Sequence, residues 1–162
     1  TLVSYQSDFD DARTGKHALT EQEQRGFELF MTEYEPRSRR YGADCFHCHG
    51  GALFTDNQYH NNGLRSGTDF GRSESTGRDS DRFKFSTPSL RNVALTAPYM
   101  HDGSVQTLEE VVRHYSKGIH FSDTLDPNLA KHPREGIQLS ESDQQALVAF
   151  LRTLTDPSFL AN

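Results

Sequence analysis

Cys45, Cys48 and His49 stand in the run Cys45-Phe46-His47-Cys48-His49, and this C-x-x-C-H spacing suits one chemistry above others. Two thiols three residues apart on a forming helical turn reach the two vinyl groups along one edge of a haem and become thioethers, the c-type attachment signature. The histidine that follows then lies under the iron as its proximal axial ligand. A zinc site needs two further well-spaced ligands, and both of the chain's 2 Cys are already in this motif. A redox dithiol belongs in a βαβ setting, and no such pattern surrounds the pair. The expectation is one covalent haem c, with His47 an exposed spacer.

Three side chains compete for the other face of the iron: Met100, His101 and Tyr115. Small cytochromes c place a methionine ligand on a proline-containing loop downstream of the motif, which favours Met100. A thioether raises the potential toward that of an electron carrier. Tyr115, on an apolar stripe with Leu108 and Val111, reads on its own as a core tyrosine. His60 reads as a hydrogen-bonded loop histidine.

The elements that must position these residues are helical. Thr20-Glu21-Gln22-Glu23 is a capping box, and Phe27, Phe30, Met31 and Tyr34 recur behind it as one apolar stripe that Pro36 ends. The basic run Arg37-Ser38-Arg39-Arg40 reads as a solvated loop, and Gly50-Gly51 lets the chain turn away from the motif. Residues 55–84 show no periodicity. A stretch that long is functional or disordered, and Phe70, Phe83 and Phe85 favour an ordered loop along the haem edge. Thr107-Leu108-Glu109-Glu110 opens a second capped helix, with Leu108, Val111, Val112 and Tyr115 on its stripe and Gly118 at its end. A third starts near Ser140, carries Leu147, Phe150, Leu151 and Leu154, and closes at Asp156-Pro157.

Residues 1–19, with Leu2, Val3, Tyr5 and Phe9 scattered among polar positions, read as a connector or N-terminal extension, which leaves 20–162 as a single c-type haem domain. The fold class is all-α, a cytochrome c-like domain of short helices and long haem-wrapping loops. With 33% apolar residues and no Trp, the core is lean, and a large flat apolar cofactor would help to fill it. The net charge of -6 points away from nucleic acid, and no apolar run is long enough for membrane insertion. The chain reads as mature, trimmed or truncated. Because haem is attached covalently outside the cytoplasm, it also reads as periplasmic or otherwise exported.

The stretch Phe85-Ser86-Thr87-Pro88-Ser89-Leu90-Arg91-Asn92-Val93-Ala94-Leu95-Thr96-Ala97-Pro98-Tyr99-Met100-His101-Asp102-Gly103-Ser104 closely resembles the haem-wrapping segment of bacterial di-haem cytochrome c peroxidases and MauG-like proteins. So does Leu108-Glu109-Glu110-Val111-Val112-Arg113-His114-Tyr115. Leu19 through Phe30, the C-x-x-C-H, Phe54-Thr55-Asp56 and His60-Asn61-Asn62-Gly63 are similar in the same order. The resemblance covers essentially the whole chain but only the second half of such proteins, whose N-terminal domain carries the peroxide-reacting haem. It implies an H2O2-dependent oxidoreductase of the cytochrome c peroxidase type, in which this half carries electrons or oxidising equivalents. It assigns no catalytic residue to this half, so the isolated chain is expected to transfer electrons only.

The implied partners are the N-terminal haem domain, in the same or a sister chain, and a small redox protein or protein substrate. The resemblance moves the sixth ligand to Tyr115, fourteen residues past His101, with Met100 as the alternative. Electron-transferring peroxidases carry Met at that place and MauG-like members Tyr. A phenolate is a hard, anionic donor that favours higher iron oxidation states, whereas thioether favours the ferrous state. The resemblance also implies a Ca²⁺ between the two domains, held partly by main-chain oxygens of Thr96 and Pro98. Arg91 is the expected partner of a haem propionate, since a guanidinium pairs bidentately with carboxylate. The competing reading is a stand-alone mono-haem periplasmic electron-transfer cytochrome c.

Overall fold

A computed structural model describes residues 4–64 and 67–160, so Leu2 and Val3 lie outside the described residues. Its helices are α1 (Asp8–Arg13), α2 (Glu21–Met31), α3 (Ser73–Thr76), α4 (Leu108–Lys117), α5 (Pro127–Ala130) and α6 (Glu141–Arg152). The two expected capping boxes form. Thr20 accepts the Glu23 N–H while the Glu23 carboxylate accepts the Thr20 N–H at 2.8 Å, and Thr107 and Glu110 repeat the exchange at α4. Ser140 caps α6. A third reciprocal box, Ser7 with Asp10, starts α1. Gly118 closes α4 by donating its N–H to the His114 carbonyl at 2.7 Å.

Two small ladders qualify the all-α expectation. Strand β1 (Tyr34–Glu35) pairs antiparallel with β2 (Arg40–Tyr41), and β3 (Tyr59–His60) with β4 (Phe85–Ser86). The first explains why α2 stops at Met31 instead of running toward Pro36: Thr32 turns extended and Tyr34 enters the ladder. The buried face of α2 is accordingly Gly26, Leu29 and Phe30, and Met31 stays 47% exposed. Gly26 decides this choice of face. A Cβ there would overlap the Ala146 carbonyl, so α2 and α6 approach most closely across a bare backbone.

The core sits between these two helices and α1. Phe9 of α1 meets Phe27, Phe54 and Phe150 at ring-centroid distances of 5.2, 5.6 and 5.4 Å, and Phe30 meets Phe150 at 5.2 Å. Edge-on and tilted pairs of this kind add to the roughly 1.5–3 kcal/mol each buried Phe contributes by leaving water. Helix α1 is therefore packed on the domain through Phe9. The described part of residues 55–84 is ordered as expected, with Phe70 against Phe83 at 5.7 Å and Phe85 flat on His101 at 3.6 Å. No helix among the described residues is long and apolar enough to cross a membrane.

Candidate cofactor site

Asp44, in the left-handed region at φ 57°, turns the chain into a short 3-10 turn over Cys45–His47, and the His49 N–H closes it on the Cys45 carbonyl at 2.9 Å. Cys45, Cys48 and His49 then line a cavity of about 590 Å³, within the size range of small-molecule and cofactor sites. Its walls are mostly apolar, with Phe30, Leu90, Val93, Leu108, Val112, Leu147 and Leu151 among them. The apolar stripe of α4 thus faces the cavity. Met100, His101 and Tyr115 line the same space.

His49 places Nδ1 3.1 Å from the Phe54 carbonyl. A carbonyl can only accept, so Nδ1 carries the hydrogen and Nε2 keeps its lone pair, the form a metal ligand takes. Burial also lowers the His49 pKa, which favours the neutral ring. Burial pushes both thiols up to about 12, helped by Asp44 at Cys45 and by Asp126 and Asp56 at Cys48. A dithiol poised for exchange shows the reverse shift.

Tyr115 accepts a hydrogen bond on its hydroxyl oxygen from Asn62 Nδ2 at 3.3 Å, and the same nitrogen lies 3.4 Å from Met100 Sδ. Among the described residues no acceptor takes the Tyr115 hydroxyl proton. Burial raises its pKa to about 12 against the opposing pull of Asn62, so the anion needs a positive partner. His101 stacks on Phe85 but leaves Nε2 buried without a hydrogen-bond partner. The orphaned nitrogen, the paired thiols, the lone-pair imidazole and the apolar walls together fit a haem c.

No protein-family model matches the chain. Over 157 residues it is 36% identical to the methylamine utilization protein MauG of Methylorubrum extorquens, covering 95% of this chain and 40% of that protein. A cytochrome c peroxidase of Denitromonas iodatirespirans is 32% identical over 185 residues, covering 96% of this chain and 46% of the peroxidase. In a solved structure, a MauG-like protein associated with microbial copper homeostasis matches with a TM-score of 0.83 at 36% identity, over 98% of this chain and 54% of that one. The chain belongs to the MauG and cytochrome c peroxidase family. It spans less than half the length of the two curated relatives, and the family relation implies a covalent haem c.

Within this family member, Arg91 and His47 make contacts outside the sequence reading, while His60 is hydrogen-bonded as read. Arg91 is not among the cavity-lining residues. Its Nη1 pairs with Asp10 at 2.6 Å, its Nε donates to the Ala52 carbonyl at 3.0 Å, and its guanidinium lies over Phe54. Arg91 ties α1 to the turn after the motif instead. His47 is no bare spacer, because Nε2 pairs with Glu33 at 2.9 Å. His60 is gripped by Asp126 at 2.6 Å and Asp56 at 2.8 Å, which raise its pKa against the effect of burial. Thr96 and Pro98 both lie on the cavity wall. Two groups of converging His, Cys, Asp or Glu side chains are found among the described residues, Cys48–His60–Asp126 and Glu33–Asp44–His47. Asn62 is the residue that sequence reasoning missed. Its partners lie 38 and 53 residues along the chain, and only its place in the quoted His60-Asn61-Asn62-Gly63 run could have flagged it.

Proposed function

We propose that this chain is the haem c domain forming the C-terminal half of a di-haem cytochrome c peroxidase or MauG-like oxidase. It carries electrons or oxidising equivalents to or from a peroxide-reacting haem in the other half. The observation that carries this reading is the convergence of Cys45, Cys48, His49 and Tyr115 on one cavity. Cys45 and Cys48 would anchor a haem by thioether bonds, His49 would bind its iron, and Tyr115 would supply the sixth donor. A haem held here supplies one-electron redox chemistry.

The chain's own residues do the rest. Phe54 fixes the His49 ring through its carbonyl, and a hydrogen bond of this kind raises the basicity of a ligating imidazole. Asn62 holds the Tyr115 oxygen. The apolar walls keep water out, and two protein donors leave no position for peroxide. The partners of this reading are the N-terminal haem domain, with Ca²⁺ between the halves on Thr96 and Pro98 main-chain oxygens, and a small redox protein or protein substrate. The location is the periplasm.

A second reading, a stand-alone mono-haem electron carrier, is favoured by one observation: the Met100 sulfur shares the Asn62 amide with Tyr115. The test is to produce the chain with its haem, weigh it, and add peroxide and a reduced electron donor. One covalent haem per chain and no rapid donor oxidation are expected, with turnover appearing once the upstream half is joined. Rapid turnover by the chain alone, or loading that survives replacement of Cys45 and Cys48 by Ser, overturns the reading. No turnover after joining moves the chain to the carrier class.

A further inference from the structure

We propose that Asn62 selects the sixth donor of the haem iron, presenting the Tyr115 oxygen and holding the Met100 sulfur as a reserve donor. This rests on the haem-site reading above. The orientation of the Asn62 amide follows from its surroundings. Its Oδ1 accepts the Leu64 N–H at 3.1 Å, which leaves Nδ2 facing the cavity with two hydrogens. Tyr115 Oη is 3.3 Å from that nitrogen and Met100 Sδ 3.4 Å. One amide therefore holds an oxygen and a sulfur donor side by side.

Asn62 is itself fixed from the same helix that carries Tyr115, since its main-chain carbonyl accepts from His114 Nε2 at 3.1 Å. Consecutive residues of α4 thus grip Asn62 at its backbone and at its side chain. Met100 is held as firmly. It sits at φ 70°, a region sparsely populated by residues other than Gly and costing about 1–3 kcal/mol. The turn around it is closed by Gly103 N–H on its carbonyl at 3.3 Å and by Tyr99 N–H on Val105 at 2.7 Å. A sulfur displayed from a strained, pinned turn is already placed, and needs no rebuilding of the loop to serve as a ligand.

The amide also ranks the two donors. A hydrogen bond to an anionic oxygen is about twice as strong as one between neutral groups, and thioether sulfur is a weak acceptor. Asn62 therefore favours tyrosinate. An Asn62→Asp exchange keeps the shape and the Leu64 contact but removes both hydrogens and sets a negative charge against the phenolate. That change passes the iron to Met100.

The experiment is ferric optical and electron paramagnetic resonance spectroscopy of the full haem-loaded chain. The wild type and Met100→Leu are expected to lack the iron–sulfur charge-transfer band. Tyr115→Phe and Asn62→Asp are each expected to gain it, and to lose it again when Met100→Leu is added. A structural loosening alone would not create a band that depends on Met100. The inference is overturned if the wild type already has the band. It is also overturned if Tyr115→Phe changes the spectrum without the band, or if Asn62→Asp matches the wild type. The Tyr115→Phe pair needs no change at Asn62, so it decides the reserve role of Met100 by itself, and Asn62→Ala, which also removes both hydrogens, decides the role of Asn62 where Asn62→Asp fails to fold. A Tyr115→Phe spectrum identical to the wild type removes Tyr115 as a ligand and overturns the inference, whereas the haem-site reading itself fails only if the chain takes up no covalent haem.

Discussion

His49 hangs from the carbonyl of Phe54, whose ring is packed against Phe9, Phe30 and Phe150, whereas Tyr115 hangs from one loop amide that it shares with a sulfur. The first support is a block of close-packed rings. The second is a polar contact with a rival in reach. Packed interiors resist displacement because any shift opens voids or clashes. A hydrogen bond between neutral groups is a net gain of only about 1 kcal/mol, so small changes re-rank it. The imidazole side of the cavity is built for permanence and the phenol side for adjustment.

Breaking the packed side should show as lost stability. Phe150 is fully buried, and Phe150→Ala is expected to cost about 3–5 kcal/mol in denaturant unfolding of the haem-loaded chain. Gly26→Ala drives a methyl into the Ala146 carbonyl and is expected to cost up to about 3 kcal/mol by the same measurement. A loss below about 1 kcal/mol for either would remove the contrast. The adjustable side should behave in reverse. Tyr115→Phe is expected to cost about 1 kcal/mol or less while changing the ferric spectrum.

The smallest expected effect is at the Arg91–Asp10 clamp. Burial alone would raise the Asp10 pKa, but Arg91 and Ser7 outweigh it and hold the carboxyl below its ordinary value. A carboxyl so lowered contributes stability above its unfolded pKa of about 3.9 and loses it as pH falls through the folded value. Asp10→Asn should thus cost no more than about 1 kcal/mol at neutral pH, and the difference from wild type should vanish at acid pH. Urea titrations of both proteins between pH 3 and 7 check the sign.

Much of the frame was legible in the sequence because its signals are local. Thr20 with Glu23, Thr107 with Glu110 and Ser140 announce their helices within one turn, and C-x-x-C-H gathers three cavity-lining residues into five positions. The α4 stripe was legible as a buried face, though not as the wall of a cavity. What escaped depends on distant pairing. Phe9 looked like one stray apolar residue, and its value comes from rings at positions 27, 54 and 150. Arg91 carried the chemistry of a propionate partner, but Asp10, eighty-one residues away, holds its guanidinium. Asn62 sits in a stretch with no periodicity, where nothing marks one amide above its neighbours.

The Arg91 clamp has a mechanical consequence. It fastens α1 at Asp10 and the turn after the motif at the Ala52 carbonyl, while Phe9 presses on the ring of Phe54 two residues further on. Phe54 in turn carries the hydrogen bond that aims His49. The first helix therefore works as a brace under the His49 imidazole. A chain trimmed to residue 20 would keep every residue of the attachment motif, yet its histidine would be left slack.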